Sequence, residues 1–277
     1  MNATIATAVD TDFRRRAPTA LVILAVFALG GCATFSQDGG FASVQAVTKE
    51  RTGKEVVWAK TDAERKQLDA RVRELLAQPL GEDAAVQIAL FNNRGLQASF
   101  QELGISEAAL VQAGRLPNPG FTFGRLTRGD EVEIERGIHF SLARLIVMPM
   151  LTEIESRRFE QSKRSVAMAV LSLAARTRKA YFMAIAADES VRYMRQVSDA
   201  ADAGAELARR MARAGNWNKL RQAREQGFYA DAALNLARAE QARDGAHETL
   251  VRLLGLWGSQ TMFTLPERLP DLPKAPD

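Results

Sequence analysis

The sequence of 277 residues predicts a mainly α-helical fold with one β-hairpin, dominated by a long antiparallel hairpin of coiled-coil helices. Two observations predict this fold class. Small and apolar residues follow a four–three spacing from Val166 to Ala212, and the period changes to alternation between Gly120 and Leu142. A third observation, an N-terminal stretch of basic, apolar and then small residues, predicts that the chain is exported.

The N-terminal stretch is typical of a signal peptide rather than of a membrane span. Arg14-Arg15-Arg16 precede an apolar run from Ala20 to Leu29, and Gly30 and Gly31 follow it. An apolar run of about ten residues has half the length needed to cross a bilayer. Residues 1–31 are therefore predicted to be removed on export.

Cys32 is the only cysteine, so an intramolecular disulfide is excluded and a cysteine-ligated metal or redox site is disfavoured. Leu29-Gly30-Gly31-Cys32 resembles the lipobox of bacterial lipoproteins. That resemblance implies a mature N-terminus at Cys32 that carries acyl chains such as palmitate, with no other cofactor, and a stable anchor needs several chains. Ala33, where an aspartate would resemble an inner-membrane retention signal, points to the outer membrane. The alternative is a secreted protein with one free thiol.

Charge argues against nucleic acid as a partner. The formal net charge is +4, and residues 1–31 contribute +1 of it, three arginines against Asp10 and Asp12. The mature chain is therefore only mildly basic. Its Lys and Arg residues are interleaved with Asp and Glu and form no long basic run.

The first part of the mature chain, residues 32–80, is predicted to be a lipidated segment with one short helix. Residues 33–60 mix polar and glycine residues without a sustained period, which predicts a tether. Thr61-Asp62-Ala63-Glu64 fits a capping box, in which a hydroxyl and a carboxylate satisfy free backbone amides. An apolar face follows the box, formed by Leu68, Val72, Leu75 and Leu76.

A second helical stretch runs from about Glu82 to Gly114, with apolar residues mostly three or four positions apart. The sequence Asn92-Asn93-Arg94-Gly95 is predicted to bend or break it. Leu116-Pro117-Asn118-Pro119-Gly120 ends the helical signal, because proline cannot donate in a helix interior and pushes its predecessor toward extended geometry.

The alternating stretch, about residues 120–142, predicts two strands joined by residues 127–130. An isolated hairpin is marginal in water, so these strands are expected to join strands from elsewhere. One apolar and one polar face suit a transmembrane β-barrel strand, although Arg125 and Arg136 interrupt the pattern. The edge of a soluble sheet explains this window equally well. The alternating apolar residues are Phe121, Phe123, Val132, Ile134, Ile138, Phe140 and Leu142.

The four–three spacing predicts a supercoiled helix from about 151 to 214, roughly 95 Å long, whose small seam residues favour close helix approach. Gly215-Asn216 supply residues that tolerate a left-handed helix end. The pattern resumes over about 217–254, which completes an antiparallel helical hairpin. Its predicted stripe is Leu220, Ala223, Gly227, Ala230, Leu234 and Ala237. The seam positions are 166, 170, 173, 177, 180, 184, 187, 191, 194, 198, 201, 205, 208 and 212.

The sequence gives little support for an enzymatic activity or a metal site. His139 and His247 lie far apart in the predicted architecture, and no glycine-rich phosphate loop or nucleophile elbow is present. Met148 and Met150 could bind a soft metal such as copper(I), but apolar filler is the better interpretation. The acidic group at residues 130–135 is interpreted as a solvated hairpin tip. We therefore predict a non-enzyme without a metal site.

Several motifs, in order, resemble those of the TolC-like outer membrane efflux proteins. Residues 83–93 resemble the opening helix of that family, and Leu116-Pro117-Asn118-Pro119 its entry into the first barrel strand. Thr177-Arg178-Lys179-Ala180-Tyr181-Phe182 resembles its membrane-to-periplasm helix. Arg213-Ala214-Gly215-Asn216 resembles its periplasmic tip turn, and residues 250–255 resemble the close of its repeat.

The resemblance implies one TolC-like repeat over residues 81–266, followed by a proline-rich tail, 267–277. It implies an outer membrane channel component of a tripartite efflux system, with its helices in the periplasm. Solutes from the periplasm or cytoplasm would reach it through an inner-membrane pump and a periplasmic adaptor. By resemblance, Arg213, Gly215 and Asn216 form the tip turn where the adaptor docks.

The number of repeats departs from that family. Members usually carry two repeats, so that three chains supply twelve strands to one barrel. Here a single repeat implies either a truncated product, which would be a trimer when full-length and is the favoured interpretation, or a hexamer. The main rival hypothesis is a coiled-coil lipoprotein that only stiffens the envelope and has no membrane strands. A third hypothesis is a periplasmic adaptor, which would need β-rich domains flanking the helical hairpin.

Overall fold

The structure is a computed structural model that describes residues 34–116 and 118–271. The predicted signal peptide, Cys32 and the last residues of the proline-rich tail lie outside the described residues. The described chain divides into two compact units, one of residues 34–40 and 103–162 and one of residues 41–102 and 163–271. The elements are α1 (Phe41–Thr52), α2 (Asp62–Leu76), α3 (Glu82–Asn92), α4 (Arg94–Ala113), β1 (Gly120–Arg128), β2 (Glu131–His139), α5 (Leu142–Arg213), α6 (Lys219–Leu254) and a 3₁₀ turn (Gly258–Thr261).

In the first unit, β1 and β2 form a two-stranded antiparallel sheet, so the predicted hairpin is confirmed. The register runs from Gly120 opposite His139 to Arg128 opposite Glu131. Gly129 has a φ of +63°, a left-handed value that a two-residue hairpin turn requires and that glycine adopts without steric cost.

The end of the second strand and the start of the long helix were predicted wrongly. β2 ends at His139 rather than Leu142, and α5 begins at Leu142 rather than near Leu151. The Ser141 hydroxyl accepts a hydrogen bond from the Arg144 N–H at 3.4 Å, so a side-chain cap begins the helix there. The predicted start near residue 151 lies just after Pro149, whereas the structure places Pro149 inside α5 although proline removes a backbone donor.

In the first unit, the segment that precedes α1 contacts α4. The backbone N–H and the hydroxyl of Ser36 both donate to Glu107 Oε1, at 2.6 and 2.5 Å. Glu107 is only 5% exposed, so these bonds solvate a buried carboxylate. The hydroxyls of Ser106 and Ser162 meet at 3.1 Å and join α4 to α5.

In the second unit, α1 contradicts the prediction of a tether over residues 33–60. Phe41, Val44 and Thr48 are buried on one side of this helix. The ring of Phe41 lies 5.9 Å from that of Trp58 and 4.9 Å from that of Phe100. Three buried positions are too few to show a helical period in the sequence. A helix of this length depends on such tertiary contacts.

Two local predictions for α2, α3 and α4 are confirmed. The Thr61 hydroxyl accepts from the Glu64 N–H, and the Glu64 carboxylate accepts from the Thr61 N–H, which completes the capping box. The helical stretch after Glu82 is interrupted at Asn93, which has extended geometry. The side chain of Asn93 accepts a hydrogen bond from the Leu96 N–H at 3.0 Å and so begins α4.

The four–three seam of α5 is confirmed along its whole length. Eleven of its fourteen positions are buried, and Ala187, Met194 and Ala212 are half-buried. Ala205 and Ala208 are 1% and 0% exposed. Small side chains at these positions let the neighbouring helix approach closely, as a coiled-coil seam does.

Candidate functional site

The tip turn connects α5 to α6 and brings together three residues that the sequence singled out. Arg213 is the last residue of α5, and Gly215 and Asn216 follow it, all exposed. Gly215 has a φ of +77° with open space around its α-carbon. The backbone N–H groups of Asn216 and Trp217 both donate to Met211 O, at 3.0 and 3.3 Å. This arrangement satisfies a helix-terminal carbonyl, as left-handed caps do.

Two residues at the tip were missed by the sequence analysis. Asn218 caps α6, because its side-chain oxygen accepts from the Arg221 N–H at 2.9 Å. Asparagine is a preferred N-cap residue, so its position just before the helix could have identified it. The Arg221 guanidinium lies 5.5 Å from the centre of the Trp217 ring, a cation–π contact that no sequence pattern indicated.

The tip carries an excess of positive charge. Residues 206–225 hold six cations against two carboxylates, Glu206 and Glu225. Glu206 contacts Arg210 at 2.8 Å and Arg209 at 2.7 Å. The hydrogen bond from Arg210, and then the charge of Arg209, lower the pKa of Glu206 below its ordinary value. The six cations are Arg209, Arg210, Arg213, Lys219, Arg221 and Arg224.

At the opposite end of α6, two asparagines from the bend after α3 close the helix. Asn92 Nδ2 donates to Leu254 O at 3.1 Å and to Gly255 O at 2.7 Å, and Asn93 Nδ2 donates to Leu253 O at 3.1 Å. Gly255 follows α6 in left-handed geometry, with a φ of +68°. These bonds satisfy carbonyls that a helix leaves without an internal partner.

The stripe predicted for α6 lies on the exposed side of that helix. All six of its residues are exposed, with Leu220 at 61% and Leu234 at 48%. A second stripe, two residues further along, is buried or half-buried. A β-carbon added to Gly204 of α5 would stand 3.7 Å from Glu225 Oε2, which places this stripe toward α5. Both stripes follow four–three spacing, so the sequence did not distinguish them. The second stripe is Gln222, Glu225, Tyr229, Ala232, Leu236, Ala239 and Arg243.

The β-hairpin formed by β1 and β2 has two chemically different faces, both open to solvent in the single chain. Since side chains alternate along a strand, Phe121, Phe123, Ile134 and Ile138 share one face, and they are 50–69% exposed. The other face carries Glu131, Glu133 and Glu135 on β2, and Thr122, Leu126 and Arg128 together with two glycines on β1. Large apolar side chains exposed in such a group mark a surface that contacts lipid or protein.

The two histidines occupy unrelated positions. His139 ends β2 opposite Gly120. His247 Nε2 lies 3.1 Å from Asp188 Oδ2, and its ring is stacked 6.3 Å from that of Phe263. Met148 and Met150 both lie on α5, close to Pro149. Over residues 34–116 and 118–271, no three His, Cys, Asp or Glu side chains are grouped so as to hold a metal ion.

Within the part of the chain that the structure describes, no helix has both the length and the apolar character needed to cross a bilayer.

The chain contains, in this order, a strand hairpin and a long antiparallel pair of helices with a seam of small residues. The resemblance predicted from the sequence is confirmed, because the chain is similar in sequence and fold to TolC-like outer membrane channel proteins, at half size. No protein-family profile matches the chain.

Particular relatives support this classification. The cobalt-zinc-cadmium resistance protein CzcC of Cupriavidus metallidurans is 28% identical over 191 residues, which are 66% of this chain. A membrane protein from Pseudomonas aeruginosa has a TM-score of 0.58, with 21% identity over 80% of this chain. The CmeC outer membrane channel of Campylobacter jejuni has a TM-score of 0.55, with 14% identity over 83% of this chain. CusC, described in terms of transmembrane channel formation, has a TM-score of 0.55, with 16% identity over 69% of this chain.

The chain spans about half the length of the proteins that it matches. It covers 43% of CzcC, 52% of the Pseudomonas protein, 46% of CusC and 51% of CmeC.

Proposed function

We propose that this chain is the outer membrane channel component of a tripartite efflux system, working with a periplasmic adaptor and an inner-membrane pump. The observation that carries the proposal is the exposed hairpin on a TolC-like fold. Its sheet has two strands, so each strand has one edge with unpaired backbone groups. Unpaired strand edges cannot enter a bilayer, whereas a closed barrel satisfies them all. The hairpin therefore needs strands from other repeats, and self-association supplies them.

The exposed stripe on α6 supports the same assembly. A second four–three seam is exposed among the residues that the structure describes, and it consists of Leu220, Ala223, Gly227, Ala230, Leu234 and Ala237. In a trimer of two-repeat chains or a hexamer of single repeats, this stripe packs against a neighbouring helix and closes the periplasmic wall. Small residues allow that close approach, as they do in the buried seam of α5.

The tip turn is the proposed contact with the adaptor. Arg213, Gly215 and Asn216 are exposed at the end of the helical hairpin, within a cluster of six cations. An acidic adaptor surface complements this charge, and the contact is then weakened by salt. Reversal of one charge, Arg213→Glu, is expected to weaken adaptor binding several-fold at low salt, whereas Arg238→Glu, on the shaft of α6, is not.

Cys32 is proposed as the lipid attachment site. The lipobox-like sequence supports it, and the acyl chains give a second attachment beside the barrel. Cys32→Ser is expected to abolish labelling by radioactive palmitate and to leave the protein uncleaved at its signal peptide. A labelled Cys32→Ser variant contradicts this assignment.

Divalent metal cations are the solutes that we favour. The name of CzcC gives cobalt, zinc and cadmium for that relative, and the face of this hairpin opposite its apolar face carries Glu131, Glu133 and Glu135. In a barrel that face lines the lumen, where rings of carboxylates favour cations. Glu133→Gln with Glu135→Gln is expected to reduce the cation preference of the conductance.

The central experiment measures the mass and the conductance of the complex extracted from outer membranes. A trimer or hexamer that conducts ions in a planar bilayer is the expected result. Ile134→Asn, on the apolar face, is expected to abolish membrane insertion, while Thr122→Asn on the opposite face serves as the matched control. A stable, non-conducting monomer contradicts the proposal and favours a structural lipoprotein of the envelope.

A further inference from the structure

The N-terminal segment is fixed to α4 only four residues after Cys32. Ser36 donates through its backbone N–H and its hydroxyl to Glu107 Oε1, at 2.6 and 2.5 Å. Glu107 is 5% exposed, so releasing Ser36 would leave a buried carboxylate without these two donors, which is costly. Four residues of fully extended chain span at most about 14 Å. Any group attached to Cys32 therefore begins within about 14 Å of Ser36.

The helices α4 and α5 join the hairpin at the same end and run side by side. Gly120, the first residue of β1, lies opposite His139, the last residue of β2. The hydroxyls of Ser106 and Ser162 meet at 3.1 Å, which sets the level of one helix against the other. Glu107 follows Ser106 toward the hairpin, so it lies at about the level of the residue before Ser162.

From that level, Cys32 does not reach the end of the hairpin. The part of α5 from Leu142 to Gln161 rises roughly 29 Å, at about 1.5 Å per residue. Since the chain from Ser36 to Cys32 covers at most about 14 Å of this distance, a gap of about 15 Å remains. In the proposed channel, acyl chains on Cys32 must cross this gap before they enter the bilayer.

An exposed row of apolar side chains on α5 covers the same distance. Leu142, Ile146, Met150 and Ile154 follow one another at intervals of four residues, so neighbours in the row lie one above the other. They are 69%, 79%, 67% and 36% exposed. The row begins at the hairpin and is about 18 Å long. Beyond it, the exposed residues as far as Gln161 are polar or charged.

We propose that the acyl chains attached to Cys32 lie along this row, which guides them from the N-terminal segment to the bilayer. The inference rests on the proposed acylation of Cys32 and on the proposed membrane role of the hairpin. A fully extended palmitoyl chain is longer than the gap. Contact with Leu142, Ile146 and Met150 removes apolar surface of both the chain and the helix from water, and this burial favours the arrangement.

The size of the side chains favours an acyl chain over a second copy of the protein. The stripe proposed for association of repeats, on α6, consists mostly of alanine and glycine, which let two backbones approach closely. The row on α5 contains only leucine, isoleucine and methionine. Large and partly flexible side chains form an irregular apolar surface, and a flexible acyl chain adapts to it more readily than a rigid helix does.

The test places a photo-crosslinker on the row of the full chain. Met150→benzoylphenylalanine is produced in cells that are fed labelled palmitate, and their outer membranes are irradiated and digested with trypsin. Cleavage after Arg144 and Arg157 isolates residues 145–157, and cleavage after Lys49 isolates the acylated residues 32–49. Mass spectrometry is expected to find these two fragments crosslinked through the acyl chain.

Two further variants, each carrying the crosslinker at position 150, make the test specific. Ile146→Asn with Ile154→Asn is expected to lower the yield of this crosslink about tenfold, because both substitutions remove apolar surface from the contact. The matched control is Met168→Asn with Met183→Asn, which changes two exposed apolar residues of α5 outside the row, 63% and 55% exposed. It is expected to give the wild-type yield. Equal yields from the two pairs overturn the proposal.

The palmitate label separates the failure of this inference from the failure of the acylation on which it rests. A protein that carries the label, but whose position 150 crosslinks only to free phospholipid or to a helix of a second copy, overturns the contact alone. A protein that carries no label overturns the acylation of Cys32 and the contact with it.

Discussion

Asn92 contacts Gly255 through both its side chain and its backbone. Its side-chain amide donates to Gly255 O at 2.7 Å, and a β-carbon added to Gly255 would lie 2.6 Å from Asn92 O. The close approach depends on the left-handed geometry of Gly255, whose φ is +68°. This contact joins the bend after α3 to the end of α6 and fixes where the helical hairpin closes.

Gly255→Ala is expected to be strongly destabilising. Left-handed geometry costs a non-glycine residue about 1–2 kcal/mol, and the contact with backbone atoms of Asn92 cannot be relieved by a side-chain movement. We expect a loss of about 2–4 kcal/mol in the free energy of unfolding, measured by urea denaturation in detergent.

Gly215→Ala is the matched control for that loss. Gly215 has a similar φ, +77°, but open space around its α-carbon. Its substitution is expected to cost only the backbone term, about 1–2 kcal/mol. Equal losses in the free energy of unfolding for the two variants would show that the contact with Asn92 does not contribute to stability.

The sequence identified those features whose signal lies within one element. The capping box of Thr61 and Glu64, the seam of α5 and the alternation of the hairpin all depend on local spacing, and the structure contains each of them. The bonds from Asn92 to Leu254 and Gly255 join residues more than 160 positions apart, so no local pattern contains them. The stripe of α6 that faces α5 was missed for a related reason, because two stripes share one period and only tertiary packing selects between them.

The buried seam of α5 is expected to reject larger side chains. Ala205 is 1% exposed and lies beside Gly204, whose added β-carbon would stand 3.7 Å from Glu225 on α6. Ala205→Leu is therefore expected to cost about 1–3 kcal/mol through overpacking. Ala203→Leu, at an exposed position of the same helix, is expected to change stability by less than about 0.5 kcal/mol. Comparable unfolding midpoints for the two variants would contradict the assignment of the seam.

The contact between His247 and Asp188 is expected to couple α6 to α5. Their side chains, 34% and 23% exposed, meet at 3.1 Å. Partial exposure limits such a pair to a coupling energy of about 0.5–1 kcal/mol. A double-mutant cycle with His247→Gln and Asp188→Asn, followed by thermal unfolding, measures this coupling. Strictly additive losses would mean that the two side chains do not interact in solution.

Asp83 is expected to give the protein a small part of its acid sensitivity. A hydrogen bond from Lys54, and then the charge of Lys54, lower the pKa of Asp83 below its ordinary value of 3.8. A carboxyl whose pKa is lowered by folding stabilises the fold fully above 3.8, and this contribution is lost as the pH falls through the lowered value. The Asp83 side chain is 80% exposed, so the contribution is below about 1 kcal/mol after screening.

Asp83→Asn tests that contribution. The variant is expected to be less stable than the wild type at about pH 6, and the difference is expected to shrink as the pH falls below 3.8 toward the lowered pKa, because the wild-type carboxyl takes up a proton there. Asp69→Asn is the control, since Asp69 is exposed and its carboxylate makes no ion pair within the described residues. A stability difference between wild type and Asp83→Asn that does not change with pH would exclude the contact with Lys54 as its cause.

The exposed stripe of α6 is expected to be the surface on which repeats associate. Leu234 is 48% exposed in the single chain, on a stripe of mostly small residues that nothing in the described chain covers. A charge buried in such a contact without a partner is costly, so Leu234→Glu is expected to shift the complex to its subunits. Asn235→Glu adds the same charge at the neighbouring exposed position, off the stripe, and is expected to leave the assembly intact. Light scattering of the detergent-extracted complex measures both masses, and helical circular dichroism checks that each variant is folded. If Leu234→Glu assembles as the wild type does, the helices of neighbouring repeats do not pack through this stripe.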